Sequence, residues 1–156
     1  MEVLVVMSTE NHEKDVQLSL KLFIVLTRTL ESIQQQAIKD IRSHELNNTE
    51  FGVLELLYSK GDHPIQQIGQ KLLLASSSIT YVVDKLEKKK LIERKACPKD
   101  RRVTHAAITA DGKELMDEIF PKHKEALNEI LSGLDMNEKE ILIEQLKKLG
   151  FHAQSM

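Results

Sequence analysis

A dense group of basic side chains lies between residues 85 and 102 of this 156-residue chain. The segment holds nine lysines and arginines against three acidic residues, whereas the whole chain has a net charge of −2. The net positive charge is therefore confined to one stretch, and the rest of the chain is acidic on balance. A localised positive segment is what a surface that binds a polyanion such as nucleic acid needs. A solvated charged face is the alternative, and the neighbouring elements decide between the two.

Small hydroxyl side chains come directly before this basic segment. They are Ser76, Ser77 and Ser78. Serine favours helix N-caps, and short hydroxyls let phosphates or base edges approach the free N–H groups of a helix start. Apolar residues then recur at helical spacing, and the opposite face carries Tyr81 and Lys85. With a short helix beginning at Pro64 and a bend at 73–75, this pattern predicts a helix-turn-helix.

Two short, partly alternating segments, 91–96 and 103–108, flank the polar stretch 97–102. This arrangement predicts a β-hairpin with a basic tip, and a hairpin directly after the second helix is a wing. Cys97 is the only cysteine, which excludes an intrachain disulfide and favours a reducing cytoplasm. Its basic neighbours would favour a thiolate, so Cys97 is a candidate redox sensor, with an incidental cysteine as the alternative.

Catalytic and metal-binding patterns are missing from the sequence. No Gly-x-Ser-x-Gly and no phosphate-binding glycine loop is present, and the six histidines form no His-x-x-x-His pair. The apolar stretch 22–26 is far shorter than the roughly 20 residues of a membrane span. The apolar run at 3–7 lacks the basic flank of a secretion signal. We expect no enzyme activity, no cofactor, no metal site and no membrane association.

Long helices are expected on both sides of the basic segment. No Gly or Pro interrupts the apolar repeat from 15 to 43, which predicts one amphipathic helix. Its first half is apolar on more than one face, so a partner helix is expected to cover it. Asn47 and Glu50 form a capping pair for a second helix that Gly61 ends.

Beyond the hairpin, Thr109 is expected to cap another long helix, which Pro121 kinks or splits. Asn137 is expected to cap a last helix over 141–149, with Gly150 as its stop.

Four short motifs follow one another between Leu72 and Gly112. They are SITYVVDKLEK at 78–88, LIER at 91–94, DRR at 100–102, and IT at 108–109 before DG at 111–112. This spaced set, with the order and lengths of elements across nearly the whole chain, resembles the MarR family of bacterial winged-helix transcription regulators.

The resemblance implies a mainly α fold with a small β-hairpin wing. It divides the chain into an N-terminal segment and dimerisation helix (1–45), a winged helix-turn-helix lobe (46–112) and C-terminal dimerisation helices (113–156). It further implies a homodimer that binds a roughly palindromic operator in double-stranded DNA, acting most often as a repressor. A small phenolic or other lipophilic effector, or an oxidative signal, would release the DNA.

Candidate DNA contacts follow from the motifs. They are Ser76, Ser77, Ser78, Thr80, Tyr81, Lys85, Lys99, Arg101 and Arg102. Arg102 is expected in the minor groove, where a narrow groove favours guanidinium, and the family analogy makes Asp100 a brace of the wing. Tyr81 stands where the family often has arginine, so its base preference departs from the family's. Lys90 stands where the family commonly has glycine, so we expect a different turn that shifts the wing.

An effector crevice is implied between the dimerisation helices and the DNA-binding lobe. Its candidate lining is Phe23, Phe51, Tyr58 and Met116. Ordinary core packing is the alternative for these side chains. For the whole chain, the alternative is a helical protein-interaction module that keeps the winged-helix fold without specific DNA binding.

Overall fold

The computed structural model describes the backbone of residues 2–156 and the side chains of residues 10–156. The apolar run at 3–7 therefore lies outside the described side chains. The described elements are α1 (Glu2–Ser43), α2 (Asn48–Lys60), β1 (His63–Pro64), α3 (Ile65–Lys71), α4 (Ser76–Lys88), β2 (Ile92–Ala96), β3 (Thr104–Ile108), α5 (Ala110–Ile130) and α6 (Met136–Gln154). The predicted fold class, mainly helical with a hairpin wing, is confirmed.

The chain divides into two compact units, Met1–Ala37 and Ile38–Met156. The first unit is the N-terminal part of α1, and between residues 10 and 37 its apolar side chains, Leu22 and Phe23 among them, are largely exposed. In the second unit, α6 also buries none of its side chains. Both helices thus carry apolar surface that the single chain leaves uncovered.

The core of the second unit lies between α2, α3, α4, α5 and the sheet. The apolar face predicted for α4 is buried as expected; it comprises Ile79, Val82, Val83 and Leu86. Leu54 of α2 and Met116 of α5 pack into the same cluster. The ring of His123 on α5 is also buried, and its Nδ1 lies 2.7 Å from the Asp40 Oδ2.

The sheet has the order β1-β3-β2, with both pairs antiparallel. The hairpin of β2 and β3 was predicted, and its register pairs Ile92 with Ile108 and Ala96 with Thr104. The third strand, β1, was not predicted. It has only two residues, so its sequence carries no alternating pattern.

Several predicted helix boundaries differ from those of the structure. The capping box of Asn47 and Glu50 at the start of α2 is confirmed. However, α6 is capped by Asp135 with Glu138 three residues later, and not by Asn137. Gly150 lies inside α6, and α5 continues through Pro121 as one helix. Within the part of the chain that the structure describes, no helix is long and apolar enough to cross a membrane.

Candidate nucleic-acid interface

The recognition-helix candidate α4 begins without a side-chain cap. Its N-cap residue is Ala75, and Ser76, Ser77 and Ser78 occupy the first turn with exposed side chains. The expectation that these serines cap the helix is therefore wrong, because the chain enters the helix one residue earlier. The hydroxyls and N–H groups of the first turn remain open to solvent, as a helix start that contacts phosphate requires. Their contact with DNA stays a prediction.

The turn between α3 and α4 contains a residue in the left-handed region. Leu73 has a φ of 55°, and its N–H donates to the Gln70 carbonyl at 3.2 Å. The N–H of Leu74 donates to the Gly69 carbonyl at 2.8 Å. These two bonds make a Schellman motif, which ends α3 sharply and directs the chain into α4.

The exit of α4 repeats this motif with Lys90 in the left-handed position. Lys90 has a φ of 60°, its N–H donates to the Glu87 carbonyl at 2.9 Å, and the Leu91 N–H donates to Leu86 at 3.0 Å. The expectation of a different turn at Lys90 is therefore wrong. Lysine adopts the conformation that glycine favours, at a cost of about 1–2 kcal/mol. The turn still leads directly into the wing.

Thr109 fastens the start of α5 to this exit. Its N–H donates to the Leu91 carbonyl at 3.1 Å, and its hydroxyl donates to the Lys90 carbonyl at 2.7 Å. The same oxygen accepts the Gly112 N–H at 3.1 Å, which confirms Thr109 as the cap of α5. A Cβ at Gly112 would fall on the Leu91 carbonyl, so only glycine fits this close approach.

Arg94 holds the first strand of the wing against α4. Its guanidinium donates to Asp84 and to Glu87 on α4, each at 2.6 Å. The hydrogen bond with Asp84 raises the pKa of Arg94, and that with Glu87 adds to it against the effect of burial. The two bonds fix the strand relative to the helix, and they direct Arg94 towards α4.

The tip of the wing is built around Asp100 and Arg102. The Arg102 Nε and Nη2 donate to the two Asp100 carboxylate oxygens at 3.0 Å each, and its backbone N–H also donates to Oδ1 at 3.0 Å. These bonds lower the pKa of Asp100. The Arg102 side chain is nevertheless 90% exposed. This geometry suits a bracing role for Asp100, which stays a prediction, as do DNA contacts by Lys99, Arg101 and Arg102.

A buried carboxylate lies beneath the basic face of α4. Glu50 of α2 is 1% exposed, and its Oε2 accepts a hydrogen bond from the Lys89 Nζ at 2.9 Å. The Lys85 Nζ lies 3.2 Å from the other oxygen, as an ion pair without hydrogen-bond geometry. Burial would raise the pKa of Glu50, but Lys89, Lys85 and the Asn47 N–H outweigh it, so the pKa lies below its usual value.

This cluster was not predicted, although the capping pair marked Glu50 as a structured position. Glu50 and Lys85 are 35 positions apart, and no local pattern joins them. Lys85 was expected to face DNA, whereas in the free protein it is held by Glu50 and lies 5.7 Å from the ring centroid of Tyr81. Tyr81 itself is exposed, in agreement with its predicted outward position. The Thr80 hydroxyl donates to the Ser76 carbonyl at 3.0 Å.

A shallow groove joins the starts of α2 and α4. Its lining includes Asn47, Thr49, Ser77, Ser78, Tyr81 and Lys85. Asn47 and Thr49 were not among the predicted DNA contacts. The sequence signal for this part of the groove is the capping box, which places the start of α2 beside that of α4.

The four candidate effector residues lie in different environments. Phe51 and Met116 are buried in the core, with 2% and 0% exposure, so neither side chain is open to a ligand. The Tyr58 hydroxyl donates to the Asp117 Oδ1 at 2.6 Å, and its ring packs against Phe120. Phe23 lies in the first unit and is 72% exposed. Core packing thus accounts for Phe51 and Met116, and the effector pocket stays a prediction.

Cys97 lies at the root of the wing and is partly buried. Its N–H donates to the Val103 carbonyl at 2.9 Å, which closes the loop that carries Asp100 and Arg102. Its role as a sensor stays a prediction.

Comparison with known proteins agrees with this geometry. The MarR family model matches residues 46–104. The chain is similar to the HTH-type transcriptional regulator MhqR of Bacillus subtilis, with 57% identity over 136 residues, covering 87% of this chain and 94% of that protein. It is 32% identical over 132 residues to the transcriptional repressor MprA of Escherichia coli, covering 81% of this chain and 75% of that protein.

Solved structures share the fold. The crystal structure of Sco3205, a MarR family transcriptional regulator from Streptomyces coelicolor in complex with DNA, matches 85% of each chain with a TM-score of 0.75 at 16% identity. The winged helix-turn-helix geometry, the family model and the 57% identity to a regulator of nearly equal extent lead to one assignment. This chain belongs to the MarR family of transcriptional regulators.

Proposed function

We propose that the protein is a homodimeric transcriptional repressor that binds a roughly palindromic DNA operator through α4 and the wing. The observation that carries this proposal is the two-sided character of α4. One face is buried in the core, and the other presents an uncapped first turn, Tyr81, and the lysines Lys85 and Lys88 of the last turn. The wing that follows carries an exposed arginine, Arg102, at its tip.

Two copies of this arrangement suit a two-fold symmetric DNA site. In a dimer, the two α4 helices would enter successive major grooves about 34–36 Å apart, and each wing would reach the adjoining minor groove. The exposed apolar side chains of α1 and α6 support a dimer, because a partner would cover surface that the single chain leaves in water. The isologous contact follows from the two-fold axis.

Release from DNA is proposed to follow a population shift. An effector that binds better to a dimer with wrongly spaced lobes would lower the fraction able to bind the operator. The resemblance to the family supports a small lipophilic or phenolic effector, and the position of Cys97 supports an oxidative signal as the second route. We further propose that residues 1–45 and 113–156 form the dimerisation helices and residues 46–112 the DNA-binding lobe. The protein is proposed to act in the cytoplasm and to have no catalytic role.

The test is to incubate the purified protein with fragmented host DNA and to sequence the fragments that it retains. The proposal expects an enriched inverted repeat, and binding that weakens with salt at a log–log slope near −0.9 for each phosphate neutralised, as for B-DNA generally. A folded dimer that enriches no site, or that shows a flat salt response, would instead favour a protein-interaction module.

A further inference from the structure

We propose that Glu50 determines DNA specificity as a positioning residue, by holding Lys85 and Lys89 so that α4 meets DNA in one fixed orientation. The inference rests on the proposed function, since it concerns the helix that is placed in the major groove. Glu50 is buried and lies on α2, so it acts on DNA only through Lys85 of α4 and Lys89, the C-cap of that helix.

The contacts of Glu50 tie two helices together at one point. One carboxylate oxygen accepts from the Lys89 Nζ at 2.9 Å and from the Asn47 N–H at 3.3 Å, and the other lies 3.2 Å from the Lys85 Nζ. The Lys89 Nζ lies 3.4 Å from the Glu45 carbonyl as well. The start of α2 and the C-terminal end of α4 are therefore fixed relative to each other by one side chain.

The cluster also changes the charge that α4 presents. Lys85 and Lys89 have side chains about two-fifths exposed, so without a partner they would be mobile positive charges on a DNA-facing helix. Mobile lysines attract any phosphate, and this attraction supplies most of non-specific binding. Specificity instead depends on side chains held in register with base edges. A carboxylate that neutralises and orients the lysines therefore lowers non-specific binding and favours specific binding.

The capping box makes Glu50→Gln a clean perturbation. Glutamine keeps an oxygen that accepts the Asn47 N–H, so the start of α2 is retained while the negative charge is lost. The measurements are the dissociation constants for the enriched operator duplex and for a scrambled duplex of equal length, across a series of salt concentrations.

We expect operator affinity to fall about tenfold, which is the worth of one misplaced base contact. Affinity for the scrambled duplex should rise about twofold to fivefold, because one unit of positive charge is uncovered near the phosphates. The salt slope should steepen by up to about 0.9. A merely structural role would weaken binding to both duplexes together and would leave their ratio unchanged.

Two further variants separate charge from position. Glu93→Gln removes a carboxylate from the exposed Glu93–Lys95 pair on β2, and it should strengthen scrambled-duplex binding without weakening operator binding. Glu50→Asp keeps the charge on a side chain one methylene shorter. It should lower operator affinity and leave scrambled-duplex affinity unchanged, and it provides the test if Glu50→Gln does not fold.

The outcomes distinguish this inference from the proposed function. A wild-type protein with no sequence preference overturns the proposed function and this inference with it. If the wild type is selective, and Glu50→Gln and Glu50→Asp both keep its ratio of operator to scrambled affinity, the inference alone is overturned.

Discussion

Replacement of Gly112 by alanine tests how tightly the root of the wing is joined to α4. The added Cβ would fall on the Leu91 carbonyl oxygen and within 2.8 Å of the Ile108 Cγ1. The Leu91 oxygen is backbone, and it already accepts the Thr109 N–H, so it has no free direction in which to move. We therefore expect Gly112→Ala to separate the start of α5 from the exit of α4.

The expected magnitude combines opposing effects. Alanine is favoured over glycine inside a helix by about 0.5–1 kcal/mol. Overpacking costs about 1–3 kcal/mol, and disturbing the Thr109 cap costs about 1 kcal/mol more. The clash is with backbone on one side and the packed Ile108 on the other, so the unfavourable effects should dominate. We expect a net loss of about 1–3 kcal/mol, or a fall in Tm of roughly 2–10 °C for a chain of this size.

The assay is urea and thermal unfolding of the wild type beside Gly112→Ala and Gly52→Ala. Gly52 also lies inside a helix, but a Cβ there would meet only the Leu72 side chain at 3.5 Å, which is an ordinary contact. Gly52→Ala should therefore be neutral or stabilising by up to about 1 kcal/mol. If Gly112→Ala is as stable as Gly52→Ala, the close approach described for Leu91 is not present in solution.

Three other perturbations have definite expected outcomes. Lys90→Gly should raise the free energy of unfolding by up to about 1 kcal/mol, because glycine removes the left-handed strain, and an unchanged urea midpoint would contradict this. Arg102→Ala should weaken operator binding about tenfold or more while the dimer elutes unchanged from a sizing column, and equal affinity would remove the wing tip from the interface. Despite burial, the two lysines lower the pKa of Glu50, so its contribution to stability is complete above about pH 4.3 and is lost as pH falls through the folded value. Glu50→Gln should accordingly lose less of its free energy of unfolding than the wild type between about pH 5 and pH 3, as measured by urea titrations. Equal losses in both proteins would show that ionised Glu50 and its lysines do not contribute to stability.

Elements with strong local signals were predicted from the sequence. The apolar face of α4, the hairpin and the capping box at Asn47 each depend on residues within a few positions of one another. The last helix shows the limit of such signals. Asn137 and Asp135 both suit an N-cap, and each has a glutamate three residues later, so the local pattern does not choose between them; in the structure Asp135 and Glu138 form the capping box. Gly150 was expected to end this helix. A glycine inside a helix costs only about 1 kcal/mol, however, and α6 continues past it.

The candidate site was predictable in outline and not in its internal contacts. Exposure of Tyr81 and of the wing tip follows from helical and hairpin periodicity. The pairing of Lys85 with Glu50 depends on how α2 and α4 cross, which the spacing of residues within either helix does not encode. The burial of Phe51 has the same origin, because aromatic type alone does not separate a pocket wall from a packed core.

The fork between Asp100 and Arg102 has a kinetic consequence. At a distance of several ångströms the carboxylate and the guanidinium form a nearly neutral pair, so Arg102 itself adds little to the long-range field that draws DNA towards the protein. The Arg102 guanidinium acts only when the DNA groove is within contact distance, and two hydrogen bonds to Asp100 already hold it in one orientation. Encounter with DNA should then be driven by the other basic side chains of the segment 85–102, whereas Arg102 sets how long the complex lasts. The fork thus makes Arg102 govern residence time on the operator more than the rate of arrival.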